Sequence, residues 1–573
     1  MKHTLSIVLT GLFLCSTMTG QNFIRVNQIG YYTESPKKAI FANMDAAHFE
    51  IKSVENDEEV YRGKLSDGKR WKESGEIVQV ADFSDYKIPG KYYIKSGSEK
   101  SYPFEIADDY LFDSLSVWTL KAFYLWRASI DIDSQYAAFG NENYARKMGH
   151  PDDNVLVHSS VATPARPEKK TRLSAPKGWY DAGDYNKYVV NAGITVHSLG
   201  LAYEMFPDYY KRLRLNIPES GNGVPDIVNE LKWEYDWLFD MQDPNDGGVY
   251  NKLTTLRFSD MVLPEYDKAD RYMVGKSTTA ALDFAAIMAM GARIFKEYET
   301  FFPGYAARAL HAAEKAWEWA QVNNKISFKN PPDVRTGGYG DDDFDDEFFW
   351  AASELFITTG NRKYYEKLDF FQKFETPTWN LVNSLGLMSL QVHADKLPVF
   401  ADKEQIEKKF KGLAENIYNQ YRFSPNLVPI RKFEWGSNGY ISSNGTLLGI
   451  AYYTLKDNKY LPAMVSCLDY LLGTNPTEYC FVTRFGSKYP KHVHDRRAEA
   501  DGIKEPIPGY LAGGANPNQV SDCGRDNYLS VMPARCYLDD LCSYSTNEIA
   551  INWNAPFVLL VGMVENAFNK IVK

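Results

Sequence analysis

The sequence predicts a multidomain fold, a small β-sandwich over residues 22–106 followed by an all-α domain over residues 109–573. Three observations predict it. The chain has 573 residues, well beyond one ordinary domain of about 100–200 residues. Short β segments separated by turn signals fill the first hundred residues and stop near Leu111. From there the apolar period becomes helical, and the helical runs are joined by loops rich in Gly, Pro and Asp.

Before the sandwich, Met1, Lys2 and His3 precede an apolar run from Leu5 to Leu14, followed by small residues up to Gly20. That run has the length of a signal-peptide core and is too short to span a bilayer, so residues 1–20 are expected to direct export to the periplasm or beyond. Cys15 offers a second reading, an acylated outer-membrane lipoprotein, although Leu14 stands where a small residue is usual. In the sandwich, strands are expected at Phe23 to Val26, Lys38 to Phe41 and Tyr92 to Lys95, with a turn at Ile88-Pro89-Gly90. Helices are expected near 111–128, 187–205, 225–241, 276–298, 305–321, 346–358, 404–419, 441–455, 459–472 and 554–570. Antiparallel hairpins of this kind form a solenoid or a closed toroid. No fixed-period repeat is visible, and long acidic, Gly-rich loops suit a closed barrel with a cleft at one end.

Composition narrows the function. Hydrophobic residues at 44% and charged residues at 24% describe an ordinary globular chain. A net charge of −10 with no basic block argues against a grip on nucleic acid. No later segment reaches 18 continuous apolar residues, so no further span is expected. Five cysteines (Cys467, Cys480, Cys523, Cys536, Cys542) crowd the last quarter without CxxC spacing and in an odd number; some could pair, and buried free thiols are the first expectation.

Four constellations can carry chemistry. In Gly178-Trp179-Tyr180-Asp181-Ala182-Gly183-Asp184-Tyr185, two close carboxylates share a proton, bind a cation or hold a polarised water, unless the segment is a solvated acidic turn. The segment Lys491-His492-Val493-His494-Asp495-Arg496 suits hydrogen bonding to a polar substrate better than metal binding, since its own cations repel an ion; a basic surface turn is the plainer reading. Glu548 precedes an apolar stretch, where partial burial lets a carboxyl keep its proton; the spacing Ser545-Thr546-Asn547-Glu548 equally suits a helix capping box. The run from Asp341 to Glu347 holds six acids in seven positions, which suits a hard cation such as Ca²⁺ or a solvated loop before a helix.

Taken in this order, the motifs "GWYDAGDYNKYV", "NIPESGNGVPDIVNE", "GGYGDDDFDDEFFWAASELFITTG", "WGSNGY", "FVTRFGSKYPKHVHDR" and "YSTNEIAINWNAP" resemble the family 9 glycoside hydrolases, cellulase-type enzymes. The resemblance covers about residues 109–573 and implies an (α/α)6 barrel; "RVNQIGYY" and "IPGKYYI" resemble the immunoglobulin-like module that precedes the barrel in one branch. It implies an inverting endo-β-1,4-glucanase in which Asp184 is the general base, Asp181 helps hold the water and Glu548 is the general acid. Inversion needs the acid and base about 6.5–9.5 Å apart. His494 and Arg496 match sugar-contacting residues, Trp435 and Tyr440 match aromatic subsite positions, and Trp179 and Tyr544 are grouped with them. A structural calcium ion is implied near Asp342, Asp343, Asp346 and Glu347. Gly439 and Asn251 depart from family patterns, standing where Arg and His are common. The expected partner is a soluble β-glucan, cellulose-like, xyloglucan or mixed-linkage, acted on by a monomer without an organic cofactor. An exo-acting glucosidase or glucosaminidase of the same fold, and a non-catalytic glycan-binding protein, are the competing readings.

Overall fold

The computed structural model describes residues 23–168 and 170–570; the expected leader and Cys15 lie outside the described residues. The chain opens with β1 (Ile24–Arg25), β2 (Gly30–Tyr32), β3 (Lys38–Ala42), β4 (His48–Ser53), β5 (Glu59–Lys64), β6 (Lys69–Trp71), β7 (Glu76–Asp82), β8 (Gly90–Ser96), β9 (Glu99–Lys100) and β10 (Phe104–Ala107). One sheet has the order β1-β3-β7-β6 and the other β2-β10-β8-β4-β5, with β9 paired to β8. Every neighbour is antiparallel except β10 beside β2. Period-two alternation drives the packing: in β4, Phe49 and Ile51 turn inward to meet Phe41, Phe83, Ile94 and Phe104.

Of the helices that follow among the described residues, twelve build the barrel's two rings: α1 (Asp113–Trp126), α2 (Val189–Met205), α3 (Asp226–Met241), α4 (Thr278–Lys296), α5 (Tyr305–Val322), α6 (Asp345–Thr359), α7 (Arg362–Tyr365), α8 (Asn383–Val392), α9 (Lys403–Phe423), α10 (Ser437–Leu455), α11 (Tyr460–Asp469) and α12 (Ile551–Phe568). The even-numbered helices pack each on the next, and α12 returns to α2, so an inner ring of six closes. The odd-numbered helices lie outside it, each against an even-numbered neighbour. This is an (α/α)6 barrel, and the solenoid alternative falls.

The two rings differ as their positions require. Outer α9 buries only Ile406, Phe410, Leu413, Ala414, Ile417 and Tyr421, a single stripe at helical spacing. Inner α2 is buried continuously from Val189 to Tyr203, and Cβ atoms at Gly193 and Gly200 would stand 3.3 Å from Trp350 and 2.4 Å from Met290. Inner α4 is long and apolar enough to cross a membrane by composition, yet it is buried in the ring. The sequence marks neither α7, a four-residue turn, nor α8, ten residues whose apolar positions are interrupted by Asn383, Ser384, Ser389 and Gln391.

The loops at one end of the barrel contribute a five-stranded sheet, ordered Arg172–Leu173, Val155–Val157, Tyr272–Lys276, Tyr250–Thr254 and Lys187–Tyr188. Its last strand follows the Asp181–Asp184 segment directly. The cysteines divide between the two expectations: Cys523 and Cys542 form a disulfide with Cα atoms 5.2 Å apart, while Cys467, Cys480 and Cys536 are buried free thiols. The bonded pair stand nineteen positions apart in sequence, and the fold of the 523–542 loop brings them together.

Candidate active site

Three chain segments converge at the loop end of the barrel. The Asp181–Asp184 turn is pinned from behind: Tyr180 N–H donates to Trp126 O at 2.9 Å, and Arg497 Nη2 donates to Ala182 O at 2.8 Å. Gly183 meets the second segment so closely that a Cβ there would lie 2.1 Å from His494 O. Arg496 donates to Gly183 O through both its backbone N–H (3.1 Å) and Nη1 (2.9 Å). His494 pairs with Glu548 of the third segment across a parallel bridge, and Ile551 N–H donates to Asp181 O at 2.9 Å. The turn, the His/Arg segment and the Glu548 segment are thereby held in one register.

Within this frame both aspartates are buried. Asp181 accepts from Asn191 Nδ2 at 2.5 Å and from the Tyr339 hydroxyl at 2.8 Å. Tyr339 holds that hydroxyl in place from a left-handed backbone, φ +48°, a conformation unusual for a bulky residue. Asp184 Oδ2 accepts from Asn186 Nδ2 at 2.5 Å and the Tyr188 hydroxyl at 3.2 Å, whereas Oδ1 has no protein hydrogen bond. Burial first, and then the charge of Asp184, push the Asp181 carboxyl up to about 8, against the two hydrogen bonds it accepts. A solvated acidic turn is therefore ruled out.

Glu548 is partly exposed, and follows the short helix Tyr544–Asn547 in an extended conformation, so it is not the third residue of a capping box. Its carboxyl is raised well above the usual carboxylate range by its desolvated setting, then by Asp184 and Asp181, with Arg496 opposing. His494 donates from Nδ1 to Leu541 O at 2.7 Å, which leaves Nε2 for a substrate hydroxyl, and burial lowers its pKa so that the ring is neutral. Arg496 also donates from Nε to Ser259 O at 2.8 Å and lies 5.5 Å from the Phe258 ring.

Exposed aromatic rings border these groups. Trp435 and Tyr544 are 43% and 39% exposed, with centroids 5.5 Å apart, and His494 packs edge-on to Tyr544 at 5.8 Å. Tyr440 is partly exposed on α10. The Gly439 departure has a packing reason: a Cβ there would stand 2.5 Å from the Trp553 ring, which fills the place a longer side chain would need. Asn251 is buried and accepts from Ser277, the N-cap of α4, at 2.6 Å. The grouping of Trp179 with sugar-facing rings is wrong. It is 1% exposed and packs on Phe123, with its indole N–H on Glu230 at 2.8 Å and its backbone N–H on Glu234 at 2.7 Å. Sequence reasoning missed Asn186, Tyr188 and Asn191, although they continue the same motif, and Tyr339, whose only local signal is a tyrosine ahead of the acidic run.

At that acidic run, Asp342 and Asp343 are exposed, whereas Asp346 and Glu347 are buried. Around it, buried carboxylate oxygens of Asp341, Asp346, Glu347 and Asp283 of α4 make no hydrogen bond among the described residues. Burial raises Asp283 and Glu347 well above the carboxylate range, followed by the charges of Asp346 and Asp341 on Asp283 and of Asp283 and Asp346 on Glu347. Orphaned carboxylate oxygens are the donors a hard cation takes, so Asp341, Asp346 and Glu347 fit calcium chemically, with Asp283 an addition and Asp342 and Asp343 facing solvent.

An (α/α)6 barrel whose loop end joins a buried aspartate pair, a proton-holding glutamate and exposed aromatic rings defines a glycoside hydrolase. Residues 113–561 match the model of glycosyl hydrolase family 9, and residues 19–101 match that of the cellulase N-terminal ig-like domain. The chain belongs to glycosyl hydrolase family 9. It is 40% identical to a xyloglucan-specific endo-beta-1,4-glucanase of Bacteroides ovatus over 97% of each chain, and 34% identical to endoglucanase D of Acetivibrio thermocellus over 94% of this chain and 83% of the relative. A solved Bacteroides ovatus GH9 structure superposes with a TM-score of 0.87 at 38% identity, covering 95% of this chain and 99% of the other.

Proposed function

We propose that the protein is an inverting endo-β-1,4-glucanase acting on soluble β-glucans, xyloglucan foremost. The observation that carries the reaction is the division of labour among three acids: Asp184 keeps one oxygen free of protein hydrogen bonds, while Asp181 and Glu548 favour their protonated forms. Asp184 as carboxylate takes a proton from water as its oxygen attacks the anomeric carbon. Glu548 gives its proton to the departing glycosidic oxygen, so one C–O bond forms and one breaks. Neutral His494 and cationic Arg496 border the reacting sugar, and Trp435 and Tyr544 offer stacking faces to its neighbours. Xyloglucan is favoured by the likeness to the xyloglucan-specific Bacteroides ovatus relative. The test is the time course on soluble xyloglucan: viscosity should collapse before much reducing sugar appears. Monosaccharide as the sole early product would establish exo action instead.

We also propose a structural calcium ion at the Asp341–Glu347 loop, supported by its orphaned carboxylate oxygens. An ion bound only to the folded state stabilises by mass action. EDTA should lower the melting temperature, and calcium should restore it, with little change in activity at low temperature. A melting temperature indifferent to both treatments would remove the ion. Export through residues 1–20 is proposed on the leader pattern alone, and the N-terminal sequence of the mature protein tests it, an acylated Cys15 being the competing outcome.

A further inference from the structure

Beside the Asp184 loop lies a pocket that the reaction above does not use. Residues 255–260 with Asp267, Ala269, Asp270 and Tyr272 line an open recess of ≈ 460 Å³, within the size range of small-ligand sites. Its wall is tied to the reacting groups at two points. At one end, Thr255 N–H donates to Asn186 Oδ1 at 3.0 Å, and Asn186 in turn donates to Asp184 at 2.5 Å. At the other, Ser259 O accepts from Arg496 Nε at 2.8 Å, while the same guanidinium reaches Gly183 O at 2.9 Å. The pocket therefore runs alongside the base, one side chain away from it.

Its lining has the composition of a sugar site. Phe258 is 48% exposed and presents a ring face. Arg257, Asp260 and Asp270 are exposed, and their side chains make no ion pair or hydrogen bond among the described residues. A guanidinium and carboxylates can bracket vicinal hydroxyls while an aromatic face covers the C–H side of a pyranose. The walls are also fixed before any ligand arrives. Asp267 accepts from the Ser259 hydroxyl, from His150 Nε2 at 3.2 Å and from Ala269 N–H at 3.0 Å, joining the two loop segments.

A glucan backbone undergoing cleavage must pass between Asp184 and Glu548. A polar recess one side chain from the base suits a group that projects sideways from that chain. We propose that this pocket binds a sugar branch carried by a backbone residue next to the scissile bond, and that it makes the enzyme selective for branched over unbranched β-1,4-glucan. The proposal rests on the β-glucanase reading above.

The experiment compares kcat/KM on xyloglucan and on unbranched mixed-linkage glucan for the parent enzyme, Ala269→Trp and Arg257→Ala/Asp270→Ala. Ala269 lines the pocket, is exposed, and contributes only its backbone N–H, which tryptophan retains. Filling the pocket, or removing its hydrogen-bonding groups, should lower kcat/KM on xyloglucan about tenfold, the scale of one lost pocket contact, and leave the unbranched glucan unaffected. Equal losses on both substrates would make the pocket part of the backbone track, and no loss on either, with melting temperatures unchanged, would make it idle; each outcome overturns the proposal. The substrate reading is judged separately, by whether the parent cleaves xyloglucan at all. A parent active only on the unbranched glucan removes that substrate and the branch site with it.

Discussion

At the residue scale, three acids of the same chemical type are given different tasks by their surroundings. Asp184 is held by two donors on one oxygen, Asp181 by two donors but in full burial beside a like charge, and Glu548 by none while desolvated near both. An acid is needed only when the leaving oxygen is poor, so Glu548→Gln should abolish polysaccharide cleavage yet keep appreciable turnover of an aryl glycoside whose phenolate departs unaided. Asp184→Asn should lose both, because water must be activated whichever group leaves. Values of kcat/KM for both variants on both substrates report the difference, and the opposite pattern would mean that acid and base are exchanged. The acids were legible through the family resemblance of their motifs, because local spacing alone left Asp181 and Asp184 open to a solvated turn and Glu548 open to a capping box. Trp179 was misread because an aromatic residue flanking a motif looks the same whether it faces a sugar or the core. Tyr339 lies 158 residues from the aspartate it holds, and local spacing carries no record of such a bond.

At the scale of elements, the outer helices with a wet face were legible by their period and the inner ones by the length of their apolar runs, whereas α7, a single turn, and α8, ten residues broken by Asn383, Ser384, Ser389 and Gln391, were not. The loop between Cys523 and Cys542 was illegible for a different reason: an odd number of cysteines with no motif spacing sets no pairing. That loop bears on the acid segment. Asp522, next to the disulfide, accepts from Ser545 N–H at 2.9 Å and the Tyr528 hydroxyl at 2.7 Å, and Ser545 stands between the Tyr544 platform and Glu548. Closing a loop of this size stabilises by about 3 kcal/mol in the chain-entropy model. Cys523→Ser/Cys542→Ser should therefore lower the melting temperature and raise KM for polysaccharide, since the Tyr544 ring loses its tether, while kcat changes less. An unchanged KM beside a lowered melting temperature would confine the disulfide to stability.

For the whole molecule, the question is what fastens the sandwich to the barrel. The β1–β2 connection enters the barrel's α11 end: Gln28 N–H donates to Leu472 O at 3.0 Å, and Gln28 Oε1 accepts from the backbone of Ser487 and Lys488, each at 2.9 Å. At Gly473, with φ +139°, a Cβ would stand 2.5 Å from Val26 O, so the two backbones touch where only glycine fits. Asp469 ends α11 in this interface and accepts from Asn27 Nδ2 at 2.8 Å. Burial pushes its carboxyl up to about 8, with Asn27 and the more distant Lys38 opposing; Tyr31 and Cys467, which also feel its charge, are themselves raised and stay neutral.

The sign of the pH effect follows from linkage. An aspartate of the unfolded chain titrates near 3.9, so between about pH 4 and pH 8 the folded state binds more protons than the unfolded one. Stability from this group is therefore full below about pH 4 and is lost as pH rises through about 8. Asp181 and Glu234, also raised to about 8, slope the same way, so the parent's curve alone would not single out the interface. Asp469→Asn supplies that discrimination. Its amide oxygen can accept from Asn27 as the carboxyl does, its NH₂ stands in for the acid proton, and it does not titrate. Denaturant midpoints at pH 5, 7 and 8.5 should fall less steeply for the variant than for the parent, with the two closest at pH 5 and the variant ahead at pH 8.5. Parallel curves would mean that Asp469 is ionised in the folded protein, and that the seam between sandwich and barrel tolerates a buried anion.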